Sequence, residues 1–172
     1  NKFILYDVDG AGKKIINLPL NGYTKGLDEK LNNSVSPDGK WLVFYTGSFG
    51  DIDHNQELPI TIKLLNLVDE TVVEITDIVA DTKLVDFASS IFISVWSPDA
   101  RQLAFSGAID GTSSDVYLYN INLKTIRRIN DDDQDVSRIW WSPNGEYIVL
   151  ENYVSRDIFT TTSVHFIKPT DE

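Results

Sequence analysis

The sequence contains no cysteine and no methionine, and it has only two histidines, His54 and His165, in 172 residues. Without thiols there are no disulfides, no thiolate nucleophile and no cysteine metal cage, so any zinc site would have to be built from those histidines and carboxylates. No Gly-x-Ser-x-Gly elbow and no His-Glu-x-x-His pair occurs, which leaves serine-hydrolase and zincin chemistry without their motifs. The chain has no run of the roughly 18 to 20 apolar residues that a spanning helix needs, and its first residues lack the architecture of a signal peptide. No membrane span is therefore expected. Bases are also scarce, 15 Lys and Arg against 26 Asp and Glu, and the net charge of -11 argues against a nucleic-acid partner.

What is present is globular in composition, 42% hydrophobic and 24% charged. It is also repetitive. Three stretches share one grammar: "NSVSPDGKWLVFYTG" from Asn33, "SVWSPDARQLAFSG" from Ser94 and "IWWSPNGEYIVLEN" from Ile139. In each, a short apolar strand enters Ser-Pro-Asp/Asn-Gly and an alternating strand leaves it. Proline presets the second turn position, Asp or Asn suits the third, and glycine accepts positive φ at the fourth. This predicts a type I turn with a glycine bulge. Ala100 occupies the glycine slot of the second copy. If the turn is kept, its strain is on the order of 1 kcal/mol, so Ala100→Gly would raise stability by up to about that much.

Two more strands follow each of the first two hairpins, near Thr61 to Asn66 and Thr71 to Ile75, then Val116 to Asn120 and Thr125 to Ile129. The chain opens with such a pair and ends with a hairpin and one further strand. With the strands lettered a to d, it reads c-d, a-b-c-d, a-b-c-d, a-b-c. Serines 36, 97 and 142 are spaced by 61 and 45 residues. The second interval matches the roughly 40 to 45 residues of a four-stranded propeller blade, and the first is a blade with an insertion. The fold expected is all-β, a partial β-propeller of four-stranded antiparallel blades, about three to four of them. The chain is one propeller segment: a partial blade 1–18, blades 33–76 and 93–130, and a partial blade 138–169. A short helix within Asp77 to Ser90 is the only helical candidate.

The string "WSPDA…LAF…DVYLYN…TIRRI" resembles the TolB-type propeller repeat, a WD-repeat-like unit that is similar to the propeller of prolyl-oligopeptidase-like peptidases. Val35 departs from it at the tryptophan position and Ala100 at the glycine. The resemblance covers essentially the whole chain and implies a non-enzymatic binding or scaffold module, in the periplasm or outside the cell, with the cytoplasm left open. The alternative is the non-catalytic propeller of a larger peptidase, restricting access to its active site. Two full blades and two partial ones are too few to close a ring of about four to eight. Either the remainder of a larger propeller or a second copy is needed.

No catalytic residue and no cofactor is expected. The candidate metal ligands are Asp51, Asp53, Asn55 and Glu57, which alternate as calcium-loop oxygens do, although Gln56 stands where the sharp-turn glycine belongs. The candidate partner-binding residues are Asp131, Asp132, Asp133 and Asp135. Propeller geometry puts the b-c and d-a loops on one rim and the Ser-Pro and c-d turns on the other. Summed over the former, 15 of the 26 acidic residues meet only Lys25, Lys30, Lys83 and Arg156. An acidic loop face for a basic protein partner is the expectation. The tryptophans, Trp41, Trp96, Trp140 and Trp141, are read as blade packing, the adjacent pair pointing to opposite faces.

Overall fold

The computed structural model describes residues 2–6, 12–17, 35–47, 58–80, 93–107, 109, 115–130, 136–153 and 162–169. All regular elements among them are strands, and no helix there is long and apolar enough to cross a membrane. They are β1 (Lys2–Tyr6), β2 (Lys13–Asn17), β3 (Trp41–Gly47), β4 (Leu58–Asn66), β5 (Val72–Ala80), β6 (Ser94–Trp96), β7 (Gln102–Gly107), β8 (Asp115–Asn120), β9 (Thr125–Arg128), β10 (Val136–Trp141), β11 (Ile148–Tyr153) and β12 (Thr162–Ile167). Each pairs antiparallel with its neighbour in sequence, giving four sheets: β1-β2, β3-β4-β5, β6-β7-β8-β9 and β10-β11-β12. Among the described residues the third shows all four strands, and in the second the position of strand a is marked by the bridge from Val35 to Leu42.

The Ser-Pro turns are one structure made three times. The serine carbonyls of Ser36, Ser97 and Ser142 each accept from the amide three residues on, at 2.9 Å, closing the expected type I turn. Each serine hydroxyl donates to the Asp or Asn two residues on, at 2.6 to 2.7 Å, and accepts the amide of Trp41, Gln102 or Tyr147 at 2.9 Å. The same carboxylate or amide oxygen takes the next-but-one backbone amide, of Lys40, Arg101 or Glu146. Serine is thus required because its hydroxyl bridges the turn to the outgoing strand. Burial alone would raise the acids of Asp38 and Asp99. Bonds from Ser36 and the Lys40 amide, and from Ser97 and the Arg101 amide, outweigh it and hold both below the usual carboxylate range.

Positive φ occurs at the fourth turn position in every copy, 71° at Gly39, 60° at Ala100 and 73° at Gly145. The alanine turn therefore keeps its strain rather than relaxing. Its methyl group is buried, at 7% relative exposure. Burying one methyl stabilises by about 0.8 kcal/mol, and alanine also restricts the unfolded chain more than glycine does. These effects oppose a strain of on the order of 1 kcal/mol. Ala100→Gly is expected to move the unfolding free energy by less than about 0.5 kcal/mol, smaller than the sequence alone implies. Denaturant titration checks this, and a gain of the full strain energy would show that the methyl contributes nothing.

The c-d turns also repeat. Asn66 and Asn120 each accept two amides on the side-chain oxygen, from Val68 and Asp69 and from Asn122 and Leu123. Glu70 and Lys124 then take positive φ, 64° and 56°. The strands of the first pair are longer than their apolar runs suggest. β4 and β5 pair from Leu65 and Val72 out to Leu58 and Ala80, so Asp77 to Ala80 extend a strand and do not begin a helix.

The sheets stack through three apolar seams. Ile16 meets Leu42, Phe44 and Leu65 between the first and second. Val43, Tyr45, Ile62 and Leu64 meet Trp96, Leu103, Phe105, Tyr117 and Tyr119 between the second and third. Val95, Ala104, Val116 and Leu118 meet Val136, Ile139, Ile148 and Leu150 between the third and fourth. Burial in the middle seam pushes the Tyr45 phenol up to about 12, with the Ser94 side chain pulling the other way. Trp41 and Trp96 lie in that seam, and Trp141 packs into the next while donating its indole N–H to the Val95 carbonyl at 3.3 Å. Trp140 points the other way and is 43% exposed.

Candidate functional site

Two bonds fix which turns share a rim. The Leu67 amide donates to the Lys40 carbonyl at 2.7 Å and the Ile121 amide to the Arg101 carbonyl at 3.0 Å, so each c-d turn is tied to the Ser-Pro turn of its own sheet. On that turn rim, at the junction of the third and fourth sheets, lies a cleft of about 440 Å³. Gln102, Asn120 and Asn122 supply amides, Pro98, Leu123 and Trp141 supply apolar surface, and Asp99 and Arg101 form an ion pair at 3.7 Å. The cleft is nearly neutral. Its acid, Asp99, is spent on the turn, accepting from Ser97 and the Arg101 amide, and the neutral Asn144 side chain likewise accepts from Ser142.

At the opposite ends of β7, β8 and β9 the polar chemistry is buried. Asp115 opens β8 at 1% exposure, and its carboxylate lies 3.3 Å from the Arg128 Nε. That N–H also donates to the Asn130 carbonyl at 2.7 Å. Asn130 in turn accepts the Val116 amide at 2.6 Å and directs its side-chain nitrogen at Asp115, at 3.5 Å. The hairpin makes this cluster: β8 and β9 pair Tyr117 with Arg128 and Asn120 with Thr125, which sets Asp115 diagonally across from Arg128. The charge count of the loop rim treated Asp115 and Asp77 as free surface acids. Asp115 is instead a buried partner of Arg128, and Asp77 is a β5 residue accepting a bond from the Thr61 hydroxyl.

The remaining candidate residues, Asp51, Asp53, Asn55 and Glu57 with Asp131, Asp132, Asp133 and Asp135, lie outside the described residues. Among the described residues no group of three or more histidines and carboxylates is placed to hold a metal ion. His165 is exposed on β12, its Nε2 3.0 Å from the Ser163 hydroxyl, the alternate position on the same strand face. The buried Asp115–Arg128 pair is the feature that sequence reasoning missed. Counting back from the Asn120–Thr125 turn would have found it, because strict antiparallel pairing puts Asp115 opposite Asn130.

No protein-family model matches the sequence. A 55-residue stretch, 32% of this chain, is 36% identical to an uncharacterized peptidase of Bacillus subtilis, YuxL, and spans 8% of that protein. The structure superposes on TolB from Acinetobacter baumannii with a TM-score of 0.59 at 19% identity, covering 97% of this chain and 37% of that one. On the β-propeller domain of the trilobed protease from Pyrococcus furiosus the TM-score is 0.64 at 13% identity, covering 98% and 46%. The chain therefore spans less than half the length of each. With its antiparallel sheets stacked face to face and its ring unclosed, it is a partial β-propeller with the fold shared by TolB and by peptidase propeller domains.

Proposed function

We propose that the chain is a non-enzymatic binding and scaffold module, TolB-like, which takes a basic protein partner on an acidic face made by the segments between its strands. The partition of charge carries this reading. Setting Asp77 and Asp115 aside, the b-c and d-a segments hold 13 of the 26 Asp and Glu, Asp131, Asp132, Asp133 and Asp135 among them, and only Lys25, Lys30, Lys83 and Arg156 as bases. That excess of negative charge on one set of connections favours a basic partner, steered by long-range attraction. Asp51, Asp53, Asn55 and Glu57 would be the segment of that face to take a cation. A TolB-like module of this kind would work in the periplasm or another space outside the cytoplasm.

Affinity for a lysine-rich peptide should fall on the order of tenfold between low and physiological salt, because exposed charges are screened beyond a Debye length of about 8 to 10 Å. Changing Asp131, Asp132 and Asp133 together to asparagine should remove most of the binding and its salt dependence. A flat salt titration, or a triple variant that binds as before, would defeat the proposal.

A second reading has one observation in its favour, the local identity to a peptidase. On this reading the chain is part of the non-catalytic propeller of a larger prolyl-oligopeptidase-like serine peptidase, restricting which substrates reach a distant active site. An α/β region carrying a Gly-x-Ser-x-Gly elbow in the same polypeptide would decide for it.

A further inference from the structure

The cleft on the turn rim lies between two neighbouring sheets of the chain, and the preceding junction shows what fills the same place there. Counted from the turn serines, Trp41, Gln102 and Tyr147 are one position of the repeat, each giving its amide to the serine hydroxyl five residues back. Trp96 and Trp141 are another, each directly before its serine. Strand pairing supplies a third. Leu103 pairs with Tyr119 and Ile148 with Ile167, so Ile121 and Pro169 correspond, each two residues further on.

At the junction of the second and third sheets these positions are Trp41, Trp96 and Ile121. Trp96 is buried in the apolar seam, and Trp41 and Ile121 pack against that seam. At the junction of the third and fourth sheets they are Gln102, Trp141 and Pro169, and all three line the cleft. A carboxamide stands in the place of an indole and a proline in that of an isoleucine. Trp141 is accordingly half-buried, where Trp96 is 7% exposed. Its ring is fixed, because the indole N–H donates to the Val95 carbonyl at 3.3 Å. One end of the cleft is closed where the two Ser-Pro turns touch, since a methyl group added to Gly145 would lie 3.8 Å from the Pro98 Cδ. Leu123, 63% exposed, adds an apolar wall from the c-d turn. The volume of about 440 Å³ falls in the range of about 300 to 1,000 Å³ usual for ligand pockets.

We infer that the cleft is a docking site for a tryptophan side chain of a partner polypeptide, which takes beside Trp141 the place that Trp41 holds at the preceding junction. A flat ring packed on Trp141 restores the apolar contact that Gln102 and Pro169 do not make. Gln102 and Asn122 offer carboxamides to the incoming indole N–H and to the main chain on either side of it. The charges of Asp99 and Arg101 offset each other, so the site favours an uncharged ring over a lysine or a carboxylate. Because the Trp141 ring is already held, little ordering is needed on binding. The inference concerns the turn rim and is independent of the acidic-face reading, which the triple aspartate variant tests separately.

The test is a magnetic-resonance titration of the isotope-labelled full chain with N-acetyl-tryptophanamide and with the neutral, end-blocked peptide Gly-Ser-Trp-Ser-Gly. The Trp141 indole N–H resonance, identified by its loss in Trp141→Phe, should shift saturably. The expected dissociation constant is on the order of 1 mM for the single blocked residue, and at least about threefold lower for the peptide. Gln102→Trp fills the cleft from within and should abolish both titrations. Leu123→Asp changes a largely exposed wall, so it leaves the denaturation midpoint unchanged and keeps the test decisive if the Gln102 variant is unstable. It should weaken the peptide on the order of tenfold, by setting a charge against an apolar ring. The lysine-rich peptide should bind Leu123→Asp no more weakly than the parent chain. A Trp141 resonance that does not move, or a titration indifferent to the cleft variants, would overturn the inference. So would a peptide that binds no tighter than the blocked residue, which would assign the cleft to a free aromatic compound.

Discussion

Phe105→Ala is expected to lower the unfolding free energy by about 4 kcal/mol, within the 3 to 5 kcal/mol typical of deleting a buried aromatic side chain. Phe105 is fully buried on β7, in the seam where the second and third sheets meet. It is paired across the sheet with Tyr117, and their rings stack with centroids 5.8 Å apart and planes 23° apart. Among the described residues that seam gathers nine buried side chains, so a void there cannot be refilled from solvent or from one flexible neighbour. Against a usual total stability of about 5 to 15 kcal/mol, the loss would be a large fraction. Phe105→Leu keeps most of the volume and should cost less than about 1.5 kcal/mol. The measurement is the denaturant midpoint at constant slope. A loss below about 1 kcal/mol for the alanine variant would mean that the seam is not what holds the sheets together.

The same residue shows why so much of the fold could be read from the sequence. "SVWSPDARQLAFSG" encodes its turn locally, through proline, an Asx side chain and the φ > 0 position, and its strand through alternation of Leu103, Phe105 and Gly107 with Ala104 and Ser106. Such information does not depend on distant residues. The extent of β4 and β5 does. Leu58 to Ile60 and Thr76 to Ala80 are strand because they pair with each other across the sheet, and neither run is marked as strand by its own composition.

The candidate site was legible to a different degree. Acid counts along the chain are readable directly, and they identify the connecting segments as the negative part. Counting cannot tell a free acid from one neutralised inside the fold. Asp115 and Asp133 look alike in sequence, yet Asp115 lies two residues from the register position that faces Arg128. Its charge belongs to the framework, where it is matched by a base.

Removing that base is the second large effect. Arg128→Met retains the aliphatic stem but leaves the Asp115 carboxylate buried without its cation, and it also takes a donor from the Asn130 carbonyl. Breaking a buried pair from one side costs about 3 to 5 kcal/mol, and partial access to water argues for the lower end, about 3 kcal/mol. The converse substitution should be milder. Asp115→Asn strands an arginine whose side chain is 33% exposed, so its charge can be hydrated where the carboxylate's cannot. A loss of roughly 1 to 2 kcal/mol is expected there. With both changes together no charge remains buried, and the double variant should be less destabilised than the sum of the two by about 1 kcal/mol or more. Strict additivity in that cycle would show that the two groups act independently and that the 3.3 Å contact contributes nothing. The consequence reaches the proposed binding face, because Asn130 immediately precedes Asp131, Asp132 and Asp133 in the chain. If the cluster of Asp115, Arg128 and Asn130 anchors that segment, Arg128→Met should weaken the lysine-rich peptide under conditions where the variant is still fully folded, whereas Phe105→Ala, under the same conditions, should not.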